Sequence, residues 1–169
     1  MLKHVRTKPF RASKAQFAVV ASRYNARYVD AMLRAARAEL RRAGVNTVQV
    51  IRVPGAFEIP VVAARLARES SVHGSRFTFH ASPFAIICLG VILRGETTHA
   101  AHIAEAVSRA LMQIQLRYEV PVVHEVLLLE NEEQARVRCL GKKFNRGTEA
   151  ARTALAMARL MDNIRRRHI

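Results

Sequence analysis

The sequence predicts an α/β fold of three layers, α/β/α, built around a central four-stranded parallel sheet. Short apolar runs rich in β-branched residues alternate four times with longer stretches of helical periodicity, and this alternation is typical of a parallel sheet with helices on both faces. The third run, Phe84 to Leu89, is apolar throughout, as a central strand with two buried faces should be. A chain of 169 residues is long enough for one domain with a substantial core.

The first two βα units are marked by a turn after each strand. Phe17 to Ala21 is predicted as the first strand, and a helix from about Tyr28 to Ala43 follows it. Val48 to Val53 is predicted as the second strand. It runs into the turn Pro54-Gly55, after which a helix begins near Phe57.

The second half of the chain supplies the other two units. The third strand leads to a helix after Thr98, and the fourth strand is predicted at Val122 to Leu129. Asn131 is expected to cap a short helix, with Gln134 completing a capping box. A last helix is predicted from about Asn145 to Arg166. This order of elements predicts a flavodoxin-like sheet.

Two segments lie outside the alternating pattern. Residues 1–14 are interpreted as a basic N-terminal arm, and residues 15–169 as one domain. Within the domain, the polar stretch from Arg68 to Pro83 has no clear helical period. We therefore interpret it as an excursion loop.

The composition restricts the class of protein. No apolar run approaches the roughly 20 residues of a membrane-spanning helix, and Met1 to Lys14 lacks the apolar core of a secretory signal. We therefore expect a cytoplasmic protein with no membrane partner. Cys88 and Cys139 have no metal-binding spacing, so we expect two free structural thiols and no metal site.

The formal net charge of +15 is compatible with a nucleic-acid surface, with attraction of phosphorylated substrates, or with simple solvation. The basic residues are scattered along predicted helices, and no aromatic residues are interleaved with them. A platform that stacks on single-stranded nucleic acid needs such aromatic residues. We therefore do not expect nucleic acid as the partner.

Candidate site residues follow the predicted strands, because ligands of open parallel sheets bind outside the carboxyl ends of the strands. The richest segment is Gly90 to His99, which combines glycines, two threonine hydroxyls and an imidazole at a helix N-terminus. Such a terminus attracts phosphate. Taken singly, each piece has an ordinary explanation: Thr97 and Thr98 can be helix caps, Tyr24 a wedge against the core, and Glu58 a first-turn acid.

A series of motifs nevertheless spans nearly the whole chain from about Phe17. In chain order they read SRYN, VPGAFEIP, LGVILRGETTH, LMQIQL followed by VPVV, NEEQARVR and NRGTEAA. The series resembles the successive signatures of the lumazine synthase family, and the combination of VPGAFEIP with RGETTH is specific. This resemblance implies an activity, a set of site residues and an assembly.

The family condenses 5-amino-6-(D-ribitylamino)uracil with 3,4-dihydroxy-2-butanone 4-phosphate, without a cofactor, and releases phosphate and water. The product is 6,7-dimethyl-8-ribityllumazine, the precursor of riboflavin. The reaction needs an aromatic platform for the pyrimidine, polar groups for the ribityl chain, cations for the phosphate and a group that moves protons near neutral pH.

The resemblance implies that the turns after the first two strands bind the pyrimidine substrate. Tyr24 would stack on the pyrimidine ring with Asn25 beside it. Ala56, Phe57 and Glu58 would line the ribityl chain, with the carboxylate accepting hydroxyl protons.

The segment after the third strand would complete this half of the site. The backbone of Val91, Ile92 and Leu93 would hold the edge of the pyrimidine. Glu96 and Thr97 would contact the sugar phosphate.

His99 matches the family's proton-transfer histidine, and imidazole suits a reaction that moves protons near neutral pH. Arg138 matches the phosphate-binding arginine, whose planar guanidinium always carries charge. In the family, Arg138 and the residues at His124 and Arg146 come from a neighbouring subunit. A monomer would lack half of the site.

Two positions depart from the family's usual residues. His124 stands where phenylalanine is usual, and Glu125 to Leu128 replaces a glycine and threonines. Because an imidazole titrates, substrate affinity is expected to depend on pH. Arg146 replaces a lysine, which keeps the charge but changes the hydrogen-bond geometry. The stretch from Arg68 to Pro83 is also longer than is usual in the family.

The expected assembly is a homo-pentamer. A larger hollow shell of pentamers remains open as an alternative, and riboflavin synthase is a candidate partner.

Two other functions fit less well. A flavodoxin-like nucleotide or flavin binder should carry its phosphate loop after the first strand, where Ser22 to Asn25 has no glycine. A non-catalytic shell-forming or nucleic-acid-binding homologue would not need Glu58, His99 and Arg138.

Overall fold

The computed structural model describes residues 15–71, 84–141 and 144–167. Within them, four strands form one sheet, and helices cover both of its faces. The strands are β1 (Gln16–Ser22), β2 (Val48–Val53), β3 (Phe84–Leu93) and β4 (Val122–Leu129). The helices are α1 (Ala26–Arg42), α2 (Ile59–Ser71), α3 (His99–Tyr118), α4 (Glu132–Ala135) and α5 (Arg146–Arg167), with a π-helical turn at Arg136–Leu140 before α5. None of the helices in these ranges is long and apolar enough to cross a membrane.

The sheet is parallel throughout, with strand order β2-β1-β3-β4. The predicted three-layer architecture is therefore confirmed. β1 and β3 are the inner strands, and β3 is almost entirely buried. Because all four strands run the same way, the turns that follow them gather at one edge of the sheet. We call this the carboxyl edge.

Two cores lie on the two faces of the sheet. Alternate residues of β1 enter them, as the period of a strand requires: Val19 faces the core formed with α1 and α5, and Val20 faces the core formed with α2 and α3. Met32 and Leu111 are among the fully or almost fully buried side chains of these helices. Burying one side chain of this size stabilises the fold by about 1.5–3 kcal/mol.

Helices α1 and α5 approach each other closely because α5 presents small residues. A Cβ atom built on Gly147 would lie 1.9 Å from the carbonyl oxygen of Met32, so only glycine fits at that position. Further along α5, four alanines are completely buried in the same core: Ala150, Ala151, Ala154 and Ala158. The N-terminal half of α5 is thereby fixed against α1.

Several predicted boundaries were wrong. α2 continues to Ser71, so the first four residues of the stretch predicted as a loop are helical. An ion pair between Arg65 and Glu69, one turn apart, supports this last part of the helix. β3 does not end at Leu89 but continues to Leu93, because β4 pairs with it over that whole length. The other predicted loop residues, 72–83, and the predicted arm, 1–14, lie outside the described residues.

The predicted cap at Asn131 is confirmed. The side-chain oxygen of Asn131 accepts the amide hydrogen of Gln134 at 3.0 Å, at the start of α4. The side chain of Gln134 reaches back, but it accepts from the amide of Glu130 at 3.1 Å and not from that of Asn131. Of the two hydrogen bonds of a capping box, the first is therefore present, and the second is made to the residue before the cap.

Candidate active site

The turns after β1 and β2 are joined by main-chain hydrogen bonds at the carboxyl edge. The amides of Arg23 and Tyr24 both donate to the carbonyl oxygen of Pro54, at 3.1 and 3.0 Å. The amide of Arg23 also donates to the carbonyl oxygen of Val53 at 2.8 Å. These bonds bring the candidate residues of the two turns together.

The ring of Tyr24 lies over the second turn and is not a wedge in the core. Its side chain is 72% exposed, and a Cβ atom built on Gly55 would lie 3.1 Å from its Cδ2 atom. Glycine at position 55 thus leaves room for the ring. An exposed aromatic face of this kind can stack on a flat ligand.

The carboxylate of Glu58 closes the second turn. Its Oε2 atom accepts the amide hydrogen of Gly55 at 2.8 Å. Because α2 begins at Ile59, Glu58 precedes the helix and does not lie in its first turn. One carboxylate oxygen of Glu58 is therefore already hydrogen-bonded within the turn. Phe57 beside it is 61% exposed, whereas the side chain of Ala56 is buried, so only the backbone of Ala56 can face a ligand.

Asn25 links the turn after β1 to the end of β3. Its backbone is in the left-handed region, with φ of 55°, a conformation that asparagine tolerates better than most residues. Its side-chain nitrogen donates to the carbonyl oxygen of Val91 at 2.8 Å. The side-chain amide of Asn25 therefore fixes the turn after β1 against the end of β3.

The side chains at the end of β3 are largely covered by the protein. Val91 and Ile92 are buried and Leu93 is half-buried. Gly90 lets β3 approach its neighbours, since a Cβ atom there would lie 3.1 Å from Val126. The main chain of this segment pairs with β4 as far as Leu93, and the carbonyl oxygen of Val91 accepts from Asn25.

The loop from Arg94 to Thr98 carries the polar groups of this edge. Glu96, Thr97 and Thr98 are exposed, and His99 is the exposed first residue of α3. Thr98 is at the cap position of α3 but makes no side-chain cap bond, whereas the hydroxyl of Thr97 accepts the amide hydrogen of His99 at 3.4 Å. The loop is tied to β4 by the amide of Arg94, which donates to the carbonyl oxygen of Leu129 at 2.8 Å.

His124 is not part of the carboxyl edge. It is paired with Cys88 in the middle of the sheet, five residues before the end of β4, which corresponds to roughly 16 Å along a strand. Its imidazole is exposed and faces α3, where its Nε2 atom lies 2.8 Å from the hydroxyl oxygen of Ser108. Within one chain, His124 is therefore separated from the edge that carries Tyr24 and His99.

Arg138 and Arg146 belong to elements on the face of the sheet that α1 covers, opposite to the face on which His124 contacts α3. Arg138 is exposed on the π-helical turn, and Arg146 begins α5 and forms an ion pair with Glu149 at 2.6 Å. Asn145 joins these two elements, because its side chain donates to the carbonyl oxygen of Cys139 and accepts from the amide of Gly147.

Glu125 belongs with these two arginines, and sequence reasoning did not name it as a site residue. Burial raises the pKa of Glu125 to about 7, as does the negative charge of Glu149, while the positive charges of Arg146 and Arg138 oppose the shift. The sequence did carry a signal for this residue, because Glu125 is a carboxylate among the otherwise apolar core-facing positions of β4. We call Glu125, Arg138, Arg146 and Glu149 the β4–α5 charge cluster.

The two cysteines are free and buried, as expected. Burial raises the pKa of Cys88, and burial together with the charge of Glu125 raises the pKa of Cys139 to about 11. Both groups are thiols at neutral pH, which disfavours a nucleophilic role. In the part of the chain that the structure describes, no group of three or more histidine, cysteine, aspartate or glutamate residues could hold a metal ion.

Comparison with known proteins identifies the family. Residues 14–162 match the family model described as 6,7-dimethyl-8-ribityllumazine synthase. A protein of that name from Xanthomonas euvesicatoria pv. vesicatoria (strain 85-10) is 42% identical over 154 residues, which cover 90% of this chain and 93% of that protein. Another from Stenotrophomonas maltophilia (strain R551-3) is 41% identical over 152 residues, covering 89% and 91% of the two chains. The chain therefore belongs to the 6,7-dimethyl-8-ribityllumazine synthase family.

Proposed function

We propose that this chain condenses 5-amino-6-(D-ribitylamino)uracil with 3,4-dihydroxy-2-butanone 4-phosphate, at a site shared between neighbouring subunits of a homo-pentamer. The observation that carries the site assignment is the carboxyl edge itself. There, an exposed aromatic ring at Tyr24, a carboxylate at Glu58 and an imidazole at His99 follow three neighbouring strands. The turns after β1 and β2 are joined by main-chain bonds, and Asn25 bonds to Val91 in the strand that leads to His99.

The pyrimidine substrate would bind across the first two turns. The exposed ring of Tyr24 would stack on the heterocycle, and backbone groups from Val91 to Leu93 would bind its edge. Phe57 and Glu58 would line the ribityl chain. Since Oε2 of Glu58 is bonded to Gly55, the ribityl hydroxyls would donate mainly to the other carboxylate oxygen.

His99 would move the protons of the reaction. The condensation joins an amino group to a ketone, expels phosphate and closes a ring, and each of these steps transfers a proton. An imidazole does this well near neutral pH. His99 is exposed at the start of α3, next to Glu96 and Thr97, which would contact the sugar phosphate.

The cations that would bind the phosphate come from a second subunit in this proposal. Within one chain, Arg138 and Arg146 lie in the β4–α5 charge cluster, on the face of the sheet that α1 and α5 cover, whereas the helix that begins with His99 covers the opposite face. A guanidinium group can bind phosphate through two parallel hydrogen bonds. His124, which is also exposed on β4, would cover the pyrimidine from the same neighbouring subunit.

Exposed apolar side chains on α2 and α3 support assembly into an oligomer. Val61 on α2 is 70% exposed, and Met112 and Leu116, one turn apart on α3, are 54% and 70% exposed. Apolar side chains gathered on adjacent helices are typical of a subunit interface.

A shell of pentamers, a riboflavin synthase partner and the cytoplasmic location stay predictions. Light scattering of the purified protein would distinguish a pentamer from a shell.

A mixing experiment tests both the activity and the shared site. His99→Ala subunits, in which turnover is slowed, and Arg138→Ala subunits, in which the Michaelis constant for the butanone phosphate is raised, are co-expressed and purified as mixed oligomers. Product formation is followed by the absorbance of the lumazine. Activity should return in the mixture, because some interfaces then combine an intact His99 with an intact Arg138 from the next subunit.

The outcomes separate two questions. If the mixed oligomers remain as inactive as the single variants, the site is not shared between subunits. If the unmodified chain forms no lumazine from the two purified substrates, the proposed reaction itself is wrong.

A further inference from the structure

Arg52 connects the end of β1 to the start of α1 through one guanidinium group. Its Nη2 atom donates to the carbonyl oxygen of Ser22 at 2.8 Å, and its Nη1 atom donates to the carboxylate of Asp30, with which it forms an ion pair. Ser22 is the last residue of β1, and Asp30 lies near the start of α1. The two bonded groups therefore lie on either side of the turn after β1, which carries Tyr24 and Asn25.

The position of Arg52 on β2 explains why it reaches both groups. Arg52 pairs with Ala21, one residue before β1 ends. Val50, two residues earlier on β2, packs against the core formed with α1 and α5, so Arg52 faces α1, as the period of a strand requires. Its side chain is 24% exposed. A charge that is largely covered needs partners, and here they are a carboxylate and a main-chain carbonyl oxygen.

The contacts of Arg52 differ from those of an ordinary surface ion pair. Such a pair contributes little to stability, and several on this protein join residues of one helix, for example Arg42 with Glu39 and Arg65 with Glu69. Arg52 joins three elements, because a planar guanidinium has several fixed donors and can bond two groups at once. A movement of the turn after β1 against β2 would therefore stretch at least one of its bonds.

The ring of Tyr24 depends on its backbone for its position. Its side chain is 72% exposed, so packing contributes little to its placement. The amide of Tyr24 donates to Pro54 at 3.0 Å, which fixes the turn against the end of β2, and Asn25 fixes it against the end of β3. Arg52 adds a connection to the two elements that flank the turn, β1 and α1.

We propose that Arg52 is a positioning residue for the pyrimidine substrate, which holds the turn after β1 in the conformation that places the ring of Tyr24 for stacking. This role rests on the proposed function, in which Tyr24 stacks on the heterocycle. A ring that is held in place before binding loses little freedom when the ligand arrives, whereas a mobile ring must be ordered at a cost in affinity. Arg52 itself does not touch the substrate.

Arg52→Gln tests this role through a comparison of kinetic constants. The Michaelis constant for the ribitylamino-uracil should rise roughly threefold to tenfold, which is the cost of ordering one side chain on binding. Turnover with both substrates saturating and the Michaelis constant for the butanone phosphate should stay unchanged. Arg52→Lys should restore part of the affinity, since an ammonium group can still bond the carbonyl oxygen or the carboxylate. A change in all three constants for Arg52→Gln would indicate a general loosening of the fold and would overturn the proposal.

Arg42→Gln is the matched control, because Arg42 is also paired with a carboxylate of α1 but lies at the far end of that helix. It should leave all three constants unchanged. Asp30→Asn keeps Arg52 in place and removes only the charge of its partner, so the Michaelis constant for the ribitylamino-uracil should rise about twofold, the lower end of the same cost. Should Arg52→Gln fail to fold, an unchanged constant in Asp30→Asn would still contradict the proposal.

A spectroscopic measurement tests the placement of the ring without an enzymatic assay. The chain contains no tryptophan, so Tyr24→Trp introduces a single fluorescent reporter at this position. In time-resolved anisotropy, adding Arg52→Gln should increase the amplitude of the fast component on the nanosecond scale of loop motion, whereas adding Arg42→Gln should not. No increase with Arg52→Gln would show that Arg52 does not position the ring. An increase, in a protein that forms no lumazine, would support the positioning by Arg52 and refute the proposed reaction instead.

Discussion

His124 and Ser108 are joined by a hydrogen bond between β4 and α3. The Nε2 atom of the imidazole lies 2.8 Å from the hydroxyl oxygen, which in turn donates to the carbonyl oxygen of Ala104 at 2.7 Å. The other ring nitrogen, Nδ1, accepts the amide hydrogen of Val126 at 3.4 Å. This network assigns the proton of the neutral ring to Nε2. Protonation of Nδ1 would have to break the contact with Val126.

Replacing His124 by phenylalanine should reduce the pH dependence of substrate affinity. If His124 covers the pyrimidine, a charge gained by the imidazole would change the affinity for the ribitylamino-uracil, and imidazoles as a class gain charge between about pH 5.5 and 7.5. The measurement is the Michaelis constant for that substrate across the range. Ser108→Ala serves as the control, since it keeps the imidazole and should keep a pH dependence. Identical profiles for the parent and His124→Phe would remove His124 from the site.

Replacing Arg138 by alanine should raise the Michaelis constant for the butanone phosphate. A charge-assisted contact with phosphate contributes about 1.5–3 kcal/mol. Its loss should raise the Michaelis constant roughly tenfold to hundredfold. Arg136→Ala is the matched control, because Arg136 lies on the same π-helical turn but is paired with Glu133 at 3.4 Å. Equal effects of the two substitutions would show that general charge, and not a phosphate contact, is responsible.

Replacing His99 by alanine should slow turnover by about tenfold to a thousandfold without abolishing it. General acid–base assistance is typically worth about 10² to 10⁴ in rate, and water can take over part of the proton transfer when the imidazole is absent. His102→Ala is the control, since His102 is exposed on the first turn of the same helix. Turnover is measured with both substrates saturating. Full activity of His99→Ala would mean that another group or water moves the protons.

Replacing Gly147 by alanine should destabilise the fold. The added Cβ atom would lie 1.9 Å from the carbonyl oxygen of Met32, so α5 must move away from α1, at a cost of about 1–3 kcal/mol or more. The thermal unfolding midpoint should fall by several degrees. Gly95→Ala is the control, since no atom lies within 4 Å of a Cβ built there. Equal midpoints for the two variants would contradict the close packing of α1 and α5.

Local signals predicted most of the fold. The bounds of β2 and β4 agree with the prediction, because each is a short run rich in apolar residues with a turn signal after it. The cap at Asn131 was also predictable, since capping depends on residues three positions apart. β3 was predicted too short because Gly90 suggests a break in a strand. Pairing with β4, which lies more than thirty residues later in the chain, carries the strand through that glycine.

The sequence by itself determined the family, the parallel α/β architecture and the candidate residues of the carboxyl edge, because motifs, periodicity and caps are local. Only the tertiary structure decided which polar groups are already engaged. The amide of Asn25 is bonded to Val91, 66 residues away, and the ring of His124 is bonded to Ser108 on a different element. Likewise, the pKa of Glu125 is raised to about 7 because burial of the carboxylate disfavours its charged form. Such properties depend on burial and on charges brought together from distant parts of the chain, and no local pattern encodes them.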